Sequence, residues 1–366
     1  MSDARTSQNC AEAPTIVEHL LIMMPPGLFA DLDMLKNDFP DMKITVMDPR
    51  QGLPSKEILK TVTIYATVRL MPDIEDVPNL KMVHILAAGF DPVVNHPIFK
   101  ESDAIITSVA GIHGPSMAEW VIMNWVNHSR KYHLSYEQQK SHVWGSHAQW
   151  ADAYDYAGKT VGIVGYGSIG RHIGRVATAM GMKVLAYTFS PRDTPESKKD
   201  RGYIIPHTGD PDGTIPAAWF SGKTKEELHH FLAQGLDQVV VSVPLTPATT
   251  KMFGAEEFKV LSKSTKPGHL APYFCNISRG PVIDQDALAK SLEAGELRGA
   301  AIDVAVPEPL PSDHPLWDTP NLVITPHISS IGKEYMERSL DILRTNLHRM
   351  KTGEPLLNQY NRDRGY

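Results

Sequence analysis

Cysteine is scarce in this sequence, which also has neither a basic block nor a long apolar run. Its 2 cysteines are too few for a disulfide framework or a Cys-ligated zinc site, and its 16 histidines form no H-E-x-x-H motif, so we expect no bound metal. A net charge of -6 argues against a nucleic-acid partner. The opening residues lack a signal-peptide pattern, and no run is long enough for a membrane span. We therefore expect a cytoplasmic protein.

What the sequence does contain is a strand followed by a glycine-rich turn. Thr160–Val164 is a short β-branched run, and Gly165, Gly167 and Gly170 follow it in G-x-G-x-x-G spacing. In such a turn the first glycine permits a tight bend and the second lets a pyrophosphate approach the backbone. The third lets the next helix pack closely against the strand. The spacing therefore indicates a dinucleotide site.

A helix and a second strand are predicted after this turn. Apolar residues recur every three or four positions from Ile169 to Met180, and Gly181 follows them, which predicts a helix that ends there. Its first N–H groups, at Ser168 and Ile169, would face the phosphates. A kinase glycine loop has the same spacing but joins two antiparallel strands. The predicted strand Lys183–Thr188 instead completes a βαβ unit, which favours dinucleotide binding.

Short apolar runs alternate with polar or amphipathic segments before this unit, a rhythm that predicts parallel strands with crossover helices. The runs are Leu20–Met24, Lys43–Met47, Val62–Thr67, Met82–Leu86 and Ile105–Ser108. We therefore predict an α/β protein with two doubly wound parallel-sheet domains, a flavodoxin-like substrate domain and a Rossmann dinucleotide-binding domain. The substrate domain is expected to be discontinuous, formed by residues 1–115 and 333–366. Residues 116–332 would form the Rossmann domain, including an interdomain helix at 116–130.

Helix caps and short apolar runs predict the remaining helices and strands of the second domain. Pro191–Gly222 is rich in proline and glycine, has no clear periodicity, and is expected to be a surface excursion. Thr224 and Glu227 form a capping box that opens a helix. Four more strands are predicted, which brings the sheet to six: Gln238–Val243, Tyr273–Ile277, Gly299–Val304 and Leu322–Thr325.

Three candidate catalytic residues each follow a predicted strand of this sheet, where the ligands of such sheets bind. Taken singly, Arg279 could contact solvent or phosphate, Glu308 could be an exposed loop acid, and His327 could be packed at a strand end. Together they fit hydride reduction of a 2-oxo acid. A guanidinium can hold the substrate carboxylate, an imidazolium can supply the proton, and a carboxylate can keep the imidazole charged and oriented.

Two earlier loops offer further candidates. The backbone of Ala87–Asp91 could form a nest for a substrate carboxylate or only a tight turn. His113, just before a helix that Pro115 is placed to begin, could reach a substrate or only be solvated.

Taken in order along the chain, the motifs resemble those of the D-isomer-specific 2-hydroxyacid dehydrogenase family. The matching segments are Ala87–Asp91, Met117–Glu119, Gly165–Gly170, Val243–Pro247, Asn276–Gly280, Asp303 with Pro307–Pro309, and Pro326–His327. The resemblance implies Arg279 as substrate anchor, His327 as acid/base and Glu308 as its partner.

The resemblance also implies the binding residues and the assembly. Ala88 and Gly89 would bind the substrate carboxylate, and Asp303 with the backbone from Ile277 to Ser278 would hold the nicotinamide amide. The other expected cofactor contacts are Gly165, Gly167, Ser168, Ile169, Gly170, Pro244 and Thr249. Members are commonly homodimers, so a homodimer is expected here.

One departure from the family bears on the cofactor. NAD-preferring relatives have an acid at the end of the second strand, where this chain has Thr188, followed by Ser190 and Arg192. The missing acid removes repulsion against a 2'-phosphate, and Arg192 can supply a charge-assisted bond. We therefore predict NADP as cofactor, with NAD possible. The alternative is that Arg192 points into solvent and that Asp193 offsets its charge.

Two other functions share this architecture. Formate dehydrogenases resemble it but have Gln at the position of Glu308. Corepressors of the C-terminal-binding type use the same fold as NAD(H)-dependent protein-binding modules. The sequence lacks the long polar tail or basic cluster that would favour the corepressor.

Overall fold

The computed structural model describes residues 17–25 and 32–362, which form two compact units. One unit comprises the described residues up to Leu86 together with Pro92–Ser108, and the other comprises Ala87–Asp91 and everything described from Val109 onward. The predicted assignment of 333–366 to the substrate domain stays a prediction. No helix among the described residues is both long and apolar enough to cross a membrane.

The first unit is a parallel sheet of five strands in the order β2-β1-β3-β4-β5, as predicted for a flavodoxin-like domain. Its strands are almost fully buried except β2 at the sheet edge, because helices follow most of them. The elements are β1 (His19–Met23), α1 (Asp33–Asp38), β2 (Lys43–Met47), α2 (Lys56–Leu59), β3 (Ile64–Thr67), β4 (Met82–Ile85), α3 (Pro97–Glu101) and β5 (Ile105–Ser108).

The second unit contains a parallel sheet of seven strands in the order β12-β11-β10-β9-β6-β7-β8. Its elements are α4 (Gly114–Ser129), α5 (Tyr132–Lys140), β6 (Thr160–Val164), α6 (Ser168–Ala179), β7 (Lys183–Thr188), α7 (Pro195–Lys198), β8 (Ala218–Ser221), α8 (Lys225–Leu232), β9 (Gln238–Val241), α9 (Ala255–Lys263), β10 (Tyr273–Asn276), α10 (Gln285–Glu293), β11 (Gly299–Ile302), β12 (Leu322–Ile324) and α11 (Tyr335–Thr352). Across the sheet from β8 through β7, β6, β9 and β10 to β11, the strands follow the Rossmann order. β12 extends the sheet beyond β11.

The prediction of six strands was wrong by one. β8 lies inside Pro191–Gly222, where only an irregular excursion was expected, and it pairs in parallel with β7 from Leu185↔Ala218 to Thr188↔Ser221. It has four half-buried residues at the sheet edge. A strand that short has too little alternation to be recognised beside so many prolines and glycines.

Both faces of the second sheet are covered, which explains its continuous apolar strands. Successive residues of β10 point to opposite faces: Phe274 packs with Phe253 and Phe258, whereas Tyr273 and Cys275 pack on the side of α4 and α6. α8 begins with the predicted capping box, in which the Glu227 amide donates to the Thr224 hydroxyl at 3.3 Å. This packing fixes the carboxyl ends of the strands, which carry the candidate site.

Candidate active site

Glu308 and His327 meet at the carboxyl ends of β11 and β12, which are neighbours in the sheet. The imidazole Nδ1 lies 3.0 Å from the Glu308 carboxylate Oε2, and the other carboxylate oxygen accepts a hydrogen bond from the Ala305 amide at 3.0 Å. The amide bond fixes the carboxylate before it contacts the ring. Both side chains are partly open to solvent, so the imidazole Nε2 is the nitrogen left for a substrate.

The turn that carries His327 is held by the carboxylate of Asp303. That carboxylate accepts hydrogen bonds from the Thr325 hydroxyl at 2.5 Å, the Ile328 amide at 2.9 Å and the Ser329 amide at 2.8 Å. The Asp303 carbonyl also accepts from the His327 amide at 2.9 Å. His327 itself has the left-handed φ of 56°. Only 1% of Asp303 is exposed, and its contact with the nicotinamide amide stays a prediction.

Arg279 follows β10, the strand on the other side of β11. Its guanidinium contacts Asp91 through Nε, 3.2 Å from both carboxylate oxygens, and through Nη2 at 3.0 Å, while Nη1 donates to the Ser278 carbonyl at 2.8 Å. A Cβ on Gly280 would lie 2.2 Å from the Ala305 carbonyl oxygen, so the loop after β10 touches the loop that positions Glu308. No glycine-free sequence could make that approach.

Ala88 and Gly89 lie in the loop after β4, beside Arg279. A Cβ on Gly89 would lie 2.7 Å from the guanidinium Nη2. Among the described residues, neither the Ala88 nor the Gly89 amide donates a hydrogen bond, so both N–H groups are open to a carboxylate. Their role as a substrate nest stays a prediction.

The glycine turn after β6 has the geometry that a pyrophosphate needs. Gly165 has a φ of 97°, and a Cβ on Gly170 would lie 2.3 Å from the Gly165 carbonyl oxygen, so α6 packs directly against the turn. A Cβ on Gly167 would meet nothing within 4 Å, which leaves open space above that backbone. No side chain caps α6, so the amides of Ser168 and Ile169 are free for phosphate oxygens. The residues present fit a dinucleotide.

Arg192 lines a cavity of about 530 Å³ together with Gly167, although it comes from the Pro191–Gly222 segment. Its Nη1 donates to the Ser197 carbonyl at 2.5 Å, and its Nε is buried without a partner. β7 ends at Thr188, so no acid stands at its carboxyl end. The Thr188 hydroxyl donates a hydrogen bond to the carbonyl of Ser190 at 2.8 Å.

Sequence reasoning missed Arg171, which follows the glycine turn in α6. Its Nη atoms donate to the carbonyls of Asp210 at 2.5 Å and Lys198 at 2.6 Å, and only 3% of the residue is exposed. These two hydrogen bonds hold the segment that carries Arg192 against the start of α6, next to the glycine turn. An arginine directly after the third glycine was the available signal, but its partners lie in a stretch without periodicity.

Three other predicted cofactor residues lie at the carboxyl ends of β9 and β10. The Thr249 hydroxyl closes the loop after β9 by donating to the Pro244 carbonyl at 2.7 Å. The Ile277 amide extends the ladder by donating to Val241 at 3.1 Å. Contact of these residues with a cofactor stays a prediction.

His113 is buried, which contradicts the interpretation of the sequence that placed it in solvent. Only 3% of it is exposed, and its ring meets that of Tyr335 edge-on at 5.2 Å. Burial, with the charges of Arg279 and Arg338, lowers the pKa of His113 to about 4. The ring is therefore neutral at physiological pH.

One group of described side chains could surround a cation: His229, Glu256 and Glu257, between α8 and α9. The Lys225 ammonium already lies 3.2 Å from Glu256 and 3.7 Å from Glu257. These side chains therefore form an ion-pair network on their own, and the group is remote in sequence from the catalytic motifs.

A glycine turn after the first strand of a sheet in Rossmann order defines a dinucleotide-binding α/β protein. More specifically, the chain belongs to the D-isomer specific 2-hydroxyacid dehydrogenase family. The model of that family's NAD binding domain matches residues 122–207 and 211–329, more than half of the chain.

Individual relatives are similar over most of their length. A hydroxypyruvate reductase from Blautia hydrogenotrophica is 30% identical over 289 residues, which cover 77% of this chain and 79% of the relative. A human glyoxylate reductase/hydroxypyruvate reductase is 27% identical, with 86% and 90% covered. Among solved structures, an NADPH-dependent glyoxylate/hydroxypyruvate reductase from Sinorhizobium meliloti, in complex with NADP and sulfate, has a TM-score of 0.74 at 25% identity, with 95% and 100% covered.

Proposed function

We propose that this protein reduces a small 2-oxo acid to the D-2-hydroxy acid with NADPH. The observation that carries the proposal is the hydrogen bond between Glu308 and His327, made at the carboxyl end of a sheet that also carries the dinucleotide turn. A carboxylate hydrogen-bonded to Nδ1 orients the imidazole and leaves Nε2 to donate a proton.

The substrate is held by Arg279 and by the amides of Ala88 and Gly89. The guanidinium binds the carboxylate and polarises the neighbouring carbonyl, and the two amides complete an anion nest. His327 donates its Nε2 proton to the carbonyl oxygen as that oxygen gains negative charge. A reduced nicotinamide supplies the hydride to the carbonyl carbon when it is bound.

The cofactor is held by the glycine turn at its pyrophosphate, by Asp303 at its amide, and by Ser190 and Arg192 at its ribose. We infer a preference for NADPH because Thr188 stands where an acid would repel a 2'-phosphate. Arg192 also shares a cavity with Gly167. The NADP complex of the Sinorhizobium meliloti reductase supports the same choice.

A screen of 2-oxo acids with both coenzymes tests the proposal. We expect reduction of glyoxylate or hydroxypyruvate, the substrates in the names of several relatives, or of a bulkier phenylpyruvate-like acid. Catalytic efficiency should be roughly 10-fold or more higher with NADPH, which corresponds to about 1.4 kcal/mol of selectivity. Equal or better efficiency with NADH would contradict the NADPH preference, and no turnover of any acid would contradict the function.

Replacing Arg192 by alanine should remove the selectivity. We expect kcat/KM with NADPH to fall about 10-fold while kcat/KM with NADH stays within about 2-fold, because only NADPH carries the phosphate that the guanidinium binds. The control is Arg50→Ala, since Arg50 is an exposed arginine of the first unit that pairs with Asp48. A parallel loss with both coenzymes in Arg192→Ala would mean that Arg192 supports the fold rather than the 2'-phosphate.

The two other functions with this architecture are not favoured. Formate oxidation produces no hydroxyl group, and formate dehydrogenases have Gln where Glu308 pairs with His327. A corepressor keeps the fold, but the Blautia hydrogenotrophica and human relatives described above are named as reductases. A formate assay alongside the screen covers the first alternative.

We further propose that the protein is a homodimer. Apolar and aromatic side chains are exposed in and after α5: Tyr132, Tyr136, Val143 and Trp144, the last with 96% exposure. Monomeric proteins rarely leave such side chains together in water, and aromatic residues dominate the energy of interfaces. A cytoplasmic location and the discontinuous substrate domain stay predictions.

Replacing Trp144 by glutamate should weaken the dimer. We expect the dissociation constant of the dimer to rise at least about 10-fold, because an aromatic side chain that the dimer would bury is exchanged for a charge. Light scattering over a dilution series measures the mass. Leu270→Glu, at a partly exposed leucine before β10, is the control and should leave the mass unchanged. A wild-type protein that is monomeric at all concentrations would refute the proposal.

A further inference from the structure

The guanidinium of Arg279 is held side-on by Asp91. Nε contacts both carboxylate oxygens at 3.2 Å, and Nη2 contacts Oδ1 at 3.0 Å. Nη1 donates to the carbonyl of Ser278 at 2.8 Å. An arginine has five N–H donors, so these contacts use three and leave one hydrogen on each terminal nitrogen. The Nε side of the guanidinium is therefore occupied. The two remaining hydrogens, one on Nη1 and one on Nη2, form what is called the open fork below.

The ion pair between Asp91 and Arg279 requires a glycine at position 89. A Cβ there would lie 2.6 Å from the Asp91 Oδ1 and 2.7 Å from the Arg279 Nη2. Both distances are shorter than real Cβ contacts, so any side chain at 89 would displace the two charged groups. The glycine therefore lets the carboxylate and the guanidinium meet against the loop backbone, in addition to exposing an amide.

The ion pair is too exposed to matter much for folding. About 30% of each side chain is open to solvent, 28% for Arg279 and 31% for Asp91. Pairs of this kind contribute little to stability. Their geometry still has an effect, because a bidentate contact fixes the plane of a guanidinium that otherwise rotates about its long side chain.

We propose that Asp91 is a positioning residue for the substrate. It fixes the plane of the Arg279 guanidinium and thereby presents the open fork on Nη1 and Nη2 to a carboxylate with an adjacent carbonyl oxygen. Asp91 does not touch the substrate itself. The inference deepens the proposed function, on which it rests, by assigning the orientation of the anchor to a second residue.

The test compares Asp91→Ala and Asp91→Asn with the wild type. We expect Asp91→Ala to raise KM for the reducible 2-oxo acid at least about 10-fold, with KM for NADPH and the melting temperature unchanged. Asp91→Asn keeps one acceptor oxygen for the guanidinium and should recover part of the loss. Asp48→Ala is a matched control, because Asp48 holds Arg50 by the same side-on contact in the first unit.

Binding of oxamate, which has the carboxylate and carbonyl of a 2-oxo acid but is not reduced, separates this inference from the proposed function. Calorimetry on the full chain with NADPH should show at least about 10-fold weaker oxamate binding to Asp91→Ala than to the wild type. Wild-type binding without turnover of any 2-oxo acid would refute the proposed function alone. Unchanged or tighter oxamate binding to Asp91→Ala, unchanged KM, or no wild-type binding would overturn the role of Asp91.

Discussion

Replacing His327 by alanine is expected to lower kcat for 2-oxo acid reduction by about 10²- to 10⁴-fold, the usual contribution of a positioned general acid. The alanine variant has no group that can donate a proton when the carbonyl oxygen gains charge. KM for NADPH should change little, because the glycine turn and the expected 2'-phosphate residues lie elsewhere on the sheet. Steady-state kinetics with NADPH varied at saturating oxo acid measure both quantities.

The control for this variant is another histidine with the same backbone conformation. His207 has a φ of 65°, close to the 56° of His327, and lies in the Pro191–Gly222 segment. His207→Ala should keep kcat within about 2-fold. Loss of backbone strain would then be excluded as the cause of the His327 effect. An unchanged kcat in His327→Ala would remove His327 from the chemistry and require another proton donor.

Replacing Glu308 by glutamine is expected to reduce kcat for 2-oxo acid reduction by about 10- to 100-fold. The amide is almost the same size, but it is a weaker acceptor than a carboxylate, and it can turn its NH2 group toward the imidazole. The ring is then held less firmly at Nδ1, so Nε2 is less often aligned with the carbonyl oxygen.

Steady-state kcat and KM for the oxo acid, measured in both directions, test this orienting role. Gln285→Glu is a useful control, because Gln285 binds the same loop at Val306 without touching the imidazole. If kcat is unchanged in Glu308→Gln, then the hydrogen bond to His327 does not orient the proton donor. If Gln285→Glu lowers kcat equally, the effect belongs to the loop and not to Glu308.

The parts of the fold that sequence predicted well are those that a local pattern dictates. The strand from Thr160 to Val164 is a continuous β-branched run, the turn after it needs glycines for backbone reasons, and α6 follows an apolar repeat. Parallel strands buried on both faces give the same kind of signal, which is why the five strands of the first unit were also found.

The parts that sequence missed depend on contacts between distant segments. β8 exists because β7 offers it an edge, and the burial of His113 depends on Tyr335, more than 200 positions later. The pairing of Asp91 with Arg279 spans 188 positions. The motifs supplied both residues, but a motif states which residues are present and not which atoms meet.

The turn held by Asp303 has a consequence for how much substrate binding must accomplish. Four hydrogen bonds to one aspartate, three to its carboxylate and one to its carbonyl, lock the backbone on both sides of His327. The proposed acid/base group, His327, is thus preorganised, because its orientation is fixed during folding rather than at the moment of reaction. If Arg279 is the substrate anchor, as proposed, binding energy from the substrate remains available for its contact with the guanidinium.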